Sequence, residues 1–111
     1  MNDILSLANN DNCVTSMYFS DDLEINIKTW DEKSLSIICR DCLKATLNGS
    51  SQFEIGEISF VKFTDFSDSW ELEFASENSG CTNYSEIIIY DPWDNKKPLL
   101  RIIAEEFFIK Q

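Results

Sequence analysis

Apolar and polar residues alternate with a period of two over most of this chain, the pattern of half-buried β-strands. After a short N-terminal piece with the spacing of one or two helical turns (Ile4, Leu5, Leu7, Ala8), Cys13, Thr15, Met17 and Phe19 alternate with Val14, Ser16 and Tyr18. Leu23, Ile25 and Ile27 then lie on one face, with Glu24, Asn26 and Lys28 on the other. Asp31-Glu32-Lys33 is a tight polar connection after Trp30, and Leu35 and Ile37 resume the alternation, so residues 22–40 read as a β-hairpin. Cys42–Leu47 continues the sheet or turns a corner before the loop Asn48-Gly49-Ser50-Ser51.

A fourth strand is predicted from Glu54 to Phe63, with Gly56 marking a bulge or bend inside it. An acidic connection from Phe63 to Ser69 leads to a strand in which Trp70, Leu72 and Phe74 point one way and Glu71 and Glu73 the other. Glu77-Asn78-Ser79-Gly80 reads as a turn, and the Ile-rich run Glu86–Tyr90 suits a strand covered on both faces. Asp91–Asn95 turns the chain again. From Leu99 to Ile109 two spacings compete: Leu100, Ile102 and Ala104 fit a strand, whereas Leu99, Ile103 and Phe107 fit a helix. The preceding turn and the Ile and Phe content favour the strand. About seven short strands, with a short helix at the N-terminus, predict a mainly β, single-domain antiparallel sheet, either a sandwich or a partly open barrel.

Composition narrows the picture. The chain has 111 residues, 43% apolar and 13% aromatic, with only three glycines and two prolines, and residues 1–111 read as one acidic β-domain. Twenty acidic residues face nine basic ones, a formal net charge of −11. Residues 1–27 hold five acids and no base; residues 63–95 hold eight (Asp65, Asp68, Glu71, Glu73, Glu77, Glu86, Asp91, Asp94), again without a base. Such a field repels phosphate and anionic lipid and attracts basic protein surfaces, so neither nucleic acid nor a membrane is expected as a partner. Solubility alone is the blander reading of the same excess. The first residues carry no basic, apolar leader and no stretch has the length of a membrane span, so a cytoplasmic protein is expected.

There is no histidine, which removes Ser-His-Asp and Cys-His catalysis and every histidine-dependent metal site. Cys39-Arg40-Asp41-Cys42 is the one pattern with chemical potential. A redox reading needs a helix opening in a βαβ setting, and a zinc reading needs a second close pair, which Cys13 and Cys81 do not form in sequence. Residues three apart in a straight strand also face opposite sides. The cysteines therefore read as small core residues with reduced thiols; a Cys-ligated metal protein is the less favoured alternative. Neighbouring acids (Asp21 with Asp22, Asp65 with Asp68, Glu105 with Glu106) are the only candidates for acid–base work, and they read as solvated faces. No EF-hand pattern is present. No catalytic residue, metal or other cofactor is expected.

Trp30, Trp70 and Trp93 each sit at or beside a predicted strand end or turn, where core packing is the first reading. Trp30, however, falls on the polar parity of its strand beside Asp31 and Glu32, the arrangement of an apolar anchor ringed by charge, and Trp93 in Asp91-Pro92-Trp93-Asp94 has the same ambiguity. The candidate partner-binding residues are Trp30, Asp65, Asp68, Glu71, Glu73, Asp91 and Trp93.

The hairpin Leu23–Lys33, the Ile55-Gly56-Glu57-Ile58 step, the Tyr90-Asp91-Pro92-Trp93 turn and the closing Leu100-x-Ile102 strand together resemble a group of small bacterial all-β proteins. Some of these are immunity proteins of polymorphic toxin or contact-dependent inhibition systems. The resemblance implies a non-enzymatic protein that blocks a partner, and the charge implies that the partner is basic, such as a nuclease-type toxin domain. The alternative is a structural or assembly subunit that pairs through an exposed sheet edge.

Overall fold

The computed structural model describes residues 2–9, 11–62 and 84–111. A single helical turn, α1 (Asn2–Leu5), precedes seven strands: β1 (Cys13–Phe19), β2 (Leu23–Lys28), β3 (Ser34–Leu47), β4 (Phe53–Glu54), β5 (Ile58–Lys62), β6 (Ser85–Asp91) and β7 (Asp94–Lys110). All pair antiparallel in one sheet of order β4-β1-β2-β3-β7-β6-β5, which hydrogen bonds do not close into a barrel. The predicted class is therefore correct, and the Leu99–Ile109 segment is strand. The seven strands are not the predicted seven, however. The strand around Trp70, Leu72 and Phe74 lies outside the described residues, and the strand expected from Glu54 to Phe63 is two.

That split explains how the sheet curls. Phe53 and Glu54 pair with β1 at one edge, and the Ile55 amide donates to the Asn12 carbonyl on the same side at 2.9 Å. One residue later the Gly56 amide donates to the Tyr90 carbonyl, 2.9 Å away, and Ile58–Lys62 pairs with β6 at the opposite edge. The chain thus passes from one end of the strand order to the other within three residues, which is feasible only if the two ends have been rolled together. Gly56 sits where the backbones meet: a Cβ there would lie 2.5 Å from the Tyr90 carbonyl oxygen and 2.7 Å from both the Asp91 carbonyl carbon and the Pro92 nitrogen. The glycine marks a close backbone approach.

The long central strands must bend to take part. At about 3.3 Å per residue, a straight β7 of 17 residues would run to roughly 55 Å, yet the molecule's longest dimension is 43 Å. The bend is written in the phase of the side chains. In β3, Leu35, Ile37 and Cys39 face the core, and the next core residue is Cys42, three positions on. In β7, paired with it, Ile109 and Phe107 face inward and the next is Ala104. Between them Arg40, Asp41, Glu105 and Glu106 are all exposed. Asp41 has φ 53°, the left-handed region that aspartate tolerates better than most residues, and a bulge between Cys42 and Lys44 adds further coil. A second bulge, between Val14 and Ser16, shifts β1 likewise: Val14 and Met17 face the core, not the unbroken Cys13, Thr15, Met17, Phe19 row.

The result is one interior lined by both halves of the sheet, with Val14, Leu23, Ile25, Ile27, Ile37, Ile55, Ile87, Ile89, Leu100, Ile102 and Phe107 buried, and Ile4 and Leu7 stopping one end. Phe107 of β7 meets Phe60 of β5 edge-to-face, ring centroids 6.1 Å apart, although β6 separates their strands in the order. β6 is covered more heavily than one-sided alternation would give: Ser85 and Glu86 are buried along with Ile87 and Ile89, and Ile88 is half-buried. Glu86 bonds to the Arg101 guanidinium of β7, so this carboxylate is not part of a solvated acidic face.

Candidate functional site

The two tryptophans lie at opposite ends of β7. Trp93 caps its first residue in a two-residue hairpin loop, Pro92–Trp93; Lys110 at the other end pairs with Ser36, and Gln111 shares a cleft with Trp30. They are two surfaces, not one site. Asp65, Asp68, Glu71 and Glu73 lie outside the described residues.

At the Trp93 end, neither loop residue has positive φ, so the turn lacks the twist that two-residue hairpins prefer, and the ladder is irregular on both sides of Tyr90. The Asp91 carboxylate accepts from the Trp93 amide at 2.8 Å, and Asp94 accepts from the Lys96 amide at 3.1 Å. Asp91 is thus a brace for the turn, and Lys96 and Lys97 follow directly. Trp93 is 80% exposed.

The Trp30 end is the more constructed of the two. β2 ends at Lys28, and residues 29–33 close the hairpin through the Thr29 amide to the Lys33 carbonyl (2.9 Å) and the Glu32 amide to the Thr29 carbonyl (3.0 Å), with Glu32 at φ 63°. The Thr29 hydroxyl donates to the Asp31 carboxylate and receives the Lys33 amide. This hydrogen bond, aided by Lys33 at 3.5 Å, holds the Asp31 carboxyl below its ordinary pKa. The Trp30 amide donates 2.9 Å to Oδ1 of buried Asn12, whose Nδ2 donates to the Leu7 carbonyl at 3.1 Å. Asn12 thereby ties the segment after α1, the β2–β3 turn and the link between β4 and β5. Its sequence context, Asn10-Asp11-Asn12, reads as an ordinary polar turn, and no sequence signal marks it as a buried staple.

Held at its backbone, Trp30 presents its ring with 67% exposure. It walls two open clefts. One, of about 470 Å³, is lined by Ser6, Leu7, Asn12, Thr29, Asp31, Lys33, Ser34, Leu35 and Gln111; the other, of about 400 Å³, by Asp11, Cys13, Thr15, Lys28, Thr29 and Glu32. Three carboxylates and two ammonium groups therefore surround the ring. The arrangement is that of an anchoring aromatic on a prearranged tip; no nucleophile paired with a base lines either cleft.

The Cys39–Cys42 pair is placed differently from the straight-strand expectation. The phase change at Asp41 turns both toward the core, Cys39 fully buried and Cys42 half-buried. Burial pushes both thiols above their ordinary pKa, Cys39 further, with the negative potential of Cys42 and Asp22 adding to it. A thiol held protonated in a core is neither a nucleophile nor a ready metal ligand, and among the described residues no group of three or more Cys, Asp or Glu side chains is arranged to hold a metal ion. Under native conditions at mildly alkaline pH, iodoacetamide should leave Cys39 unmodified, and denaturant should expose it. Mass spectrometry of the Cys39 peptide checks this; rapid native labelling would mean that the β3 core opens easily.

No helix among the described residues is long and apolar enough to cross a membrane. Comparisons with protein-family models, with curated proteins and with solved structures find no match to this chain.

Proposed function

We propose that this protein is a non-catalytic binder of a basic protein, acting as an immunity-type inhibitor that occupies the cationic cleft of a nuclease-type toxin domain. The observation that supports this reading is Trp30: a large ring two-thirds exposed on a hairpin tip whose backbone is pinned by Asn12 and whose turn is fixed by Thr29 and Asp31. An exposed tryptophan on a rigid tip loses little conformational freedom on binding, which is what an anchor residue requires.

Charge supports a cationic partner. With −11 over the whole chain, association with a cationic surface is accelerated and with an anionic one slowed. The described residues carry 15 acids against all nine bases, so five of the 20 acids, unopposed by any base, belong to residues 63–83. Around Trp30 the excess is small because Lys28 and Lys33 lie among Asp11, Asp31 and Glu32. Trp30 thus supplies the short-range contact, and the molecule's overall field supplies the steering.

The test is co-expression with the product of the adjacent coding sequence and measurement of association of the purified pair. Trp30→Ala should leave the circular dichroism spectrum unchanged and weaken binding by about 2 kcal/mol, more than tenfold. The association rate should fall steeply from low to high salt. An unchanged affinity in the variant removes Trp30 from the interface, and a salt-independent rate removes electrostatic steering.

A further inference from the structure

We propose that the edge of β1 from Thr15 to Phe19, which no strand among the described residues covers, takes up an extended segment of the basic partner as an added strand, in which basic and apolar residues alternate; this rests on the binding role proposed above. β4 covers β1 only at Cys13 and Val14, so beyond the bulge the outer edge of β1 has no partner strand among the described residues. Five residues make a strand of ordinary length, about 17 Å.

Sheet proteins ordinarily blunt such an edge with charge or proline. Here Cys13–Ser20 contains neither, in a chain that is 26% charged. The bulge protects one end only. Tyr18 and Phe19, at 61% and 63% exposure, stand at the other.

The two faces of an added strand would meet different chemistry. On one face its residues would lie beside Met17, which packs against the core, and the exposed Phe19 ring, so they are apolar. Its outer residues would lie beside Ser16 and Tyr18, where the Tyr18 ring offers a cation–π face and the paired strand sets Glu24 next to it. Asp21 and Asp22 close this end of the edge, and with Tyr18 and Glu24 they line one open cleft. Lys110 also lines it, but with three carboxylates against one ammonium group the cleft favours lysine or arginine over a carboxylate. A second copy of this chain, pairing β1 against β1, would set Asp21 and Asp22 of each copy near Asp11 of the other and bring two charges of −11 together, which disfavours it.

Two synthetic probes test the idea: a seven-residue peptide of alternating lysine and valine, and the same peptide N-methylated at every backbone amide, which keeps the charge and loses the ladder donors. The first should bind and slow hydrogen exchange of alternate amides between Thr15 and Phe19 by about tenfold or more, and the second should bind about tenfold more weakly. Tyr18→Lys, at an exposed position, should weaken the first probe without unfolding the protein. Equal binding of both peptides with no protection in β1 would overturn the edge proposal while leaving recognition of a basic partner standing. No binding of either peptide would also overturn it, and Trp30→Ala with the whole partner would then still decide the binding role. A peptide-free dimer with β1 amides already protected would overturn it in favour of the second copy.

Discussion

Gly56→Ala is expected to destabilise the protein by roughly 3 kcal/mol, a loss far beyond the usual cost of a surface substitution. The added methyl would arrive 2.5 Å from the Tyr90 carbonyl oxygen and 2.7 Å from two further backbone atoms of the β6–β7 hairpin. None of these is the far end of a flexible side chain. Relief requires the link between β4 and β5 to move away from the hairpin, and the Gly56–Tyr90 and Tyr90–Glu57 hydrogen bonds, 2.9 and 2.8 Å, hold the two together. Ile55, fully buried one residue earlier, would move with it. The urea midpoint measures the effect, and Gly49→Ala is the control. Gly49 has φ 112° but nothing within 4 Å, so alanine there meets backbone strain alone, about 1 kcal/mol. Equal losses in the two variants would mean that the sheet edges are not in contact at Gly56.

That contact also shows where the sequence stops being informative. Alternation located β1, β2 and the β2–β3 hairpin because each depends on neighbours in sequence, and Leu23, Ile25 and Ile27 are buried as their parity requires. The split at Gly56 depends on which distant strand each half meets, and periodicity contains nothing about that. The same holds at the bend. The step from Ala104 to Phe107 in β7 copies helical spacing, and its cause is the coil opposite Asp41, visible only once β3 and β7 are paired. Cys39 and Cys42 face the same way for this reason. Of the candidate site, core packing is the first sequence reading for Trp30 and Trp93, and their exposure of 67% and 80% overturns it in favour of the polar parity that Trp30 also shows. The fixation of Trp30 by Asn12 was not legible, because that bond joins residues 18 apart. Asp91, a candidate partner-binding residue in the sequence, also braces its turn through an Asx contact two residues long that Asp-Pro-Trp could have suggested.

Phe107→Ala should be the most damaging single truncation of the core, costing about 3–5 kcal/mol, a large part of the 5–15 kcal/mol that holds a domain of this size folded. Phe107 is 1% exposed and lies in the part of β7 that pairs with β3 but not with β6, yet its ring reaches Phe60 on β5. Its removal empties the space between the two halves of the rolled sheet. The backbone on both sides is committed to ladders, so little collapse is available to fill the void, and a cavity that cannot relax sits at the upper end of the range. Phe107→Leu keeps most of the volume and should cost less than about 1.5 kcal/mol. Phe60→Ala, at a half-buried position, should cost less than Phe107→Ala. In the double variant the two losses should fall short of additive, because the edge-to-face contact is counted in each single change. Strict additivity in chemical denaturation would mean that the rings do not touch in solution and that the sheet is more open than the Phe60–Phe107 pair makes it.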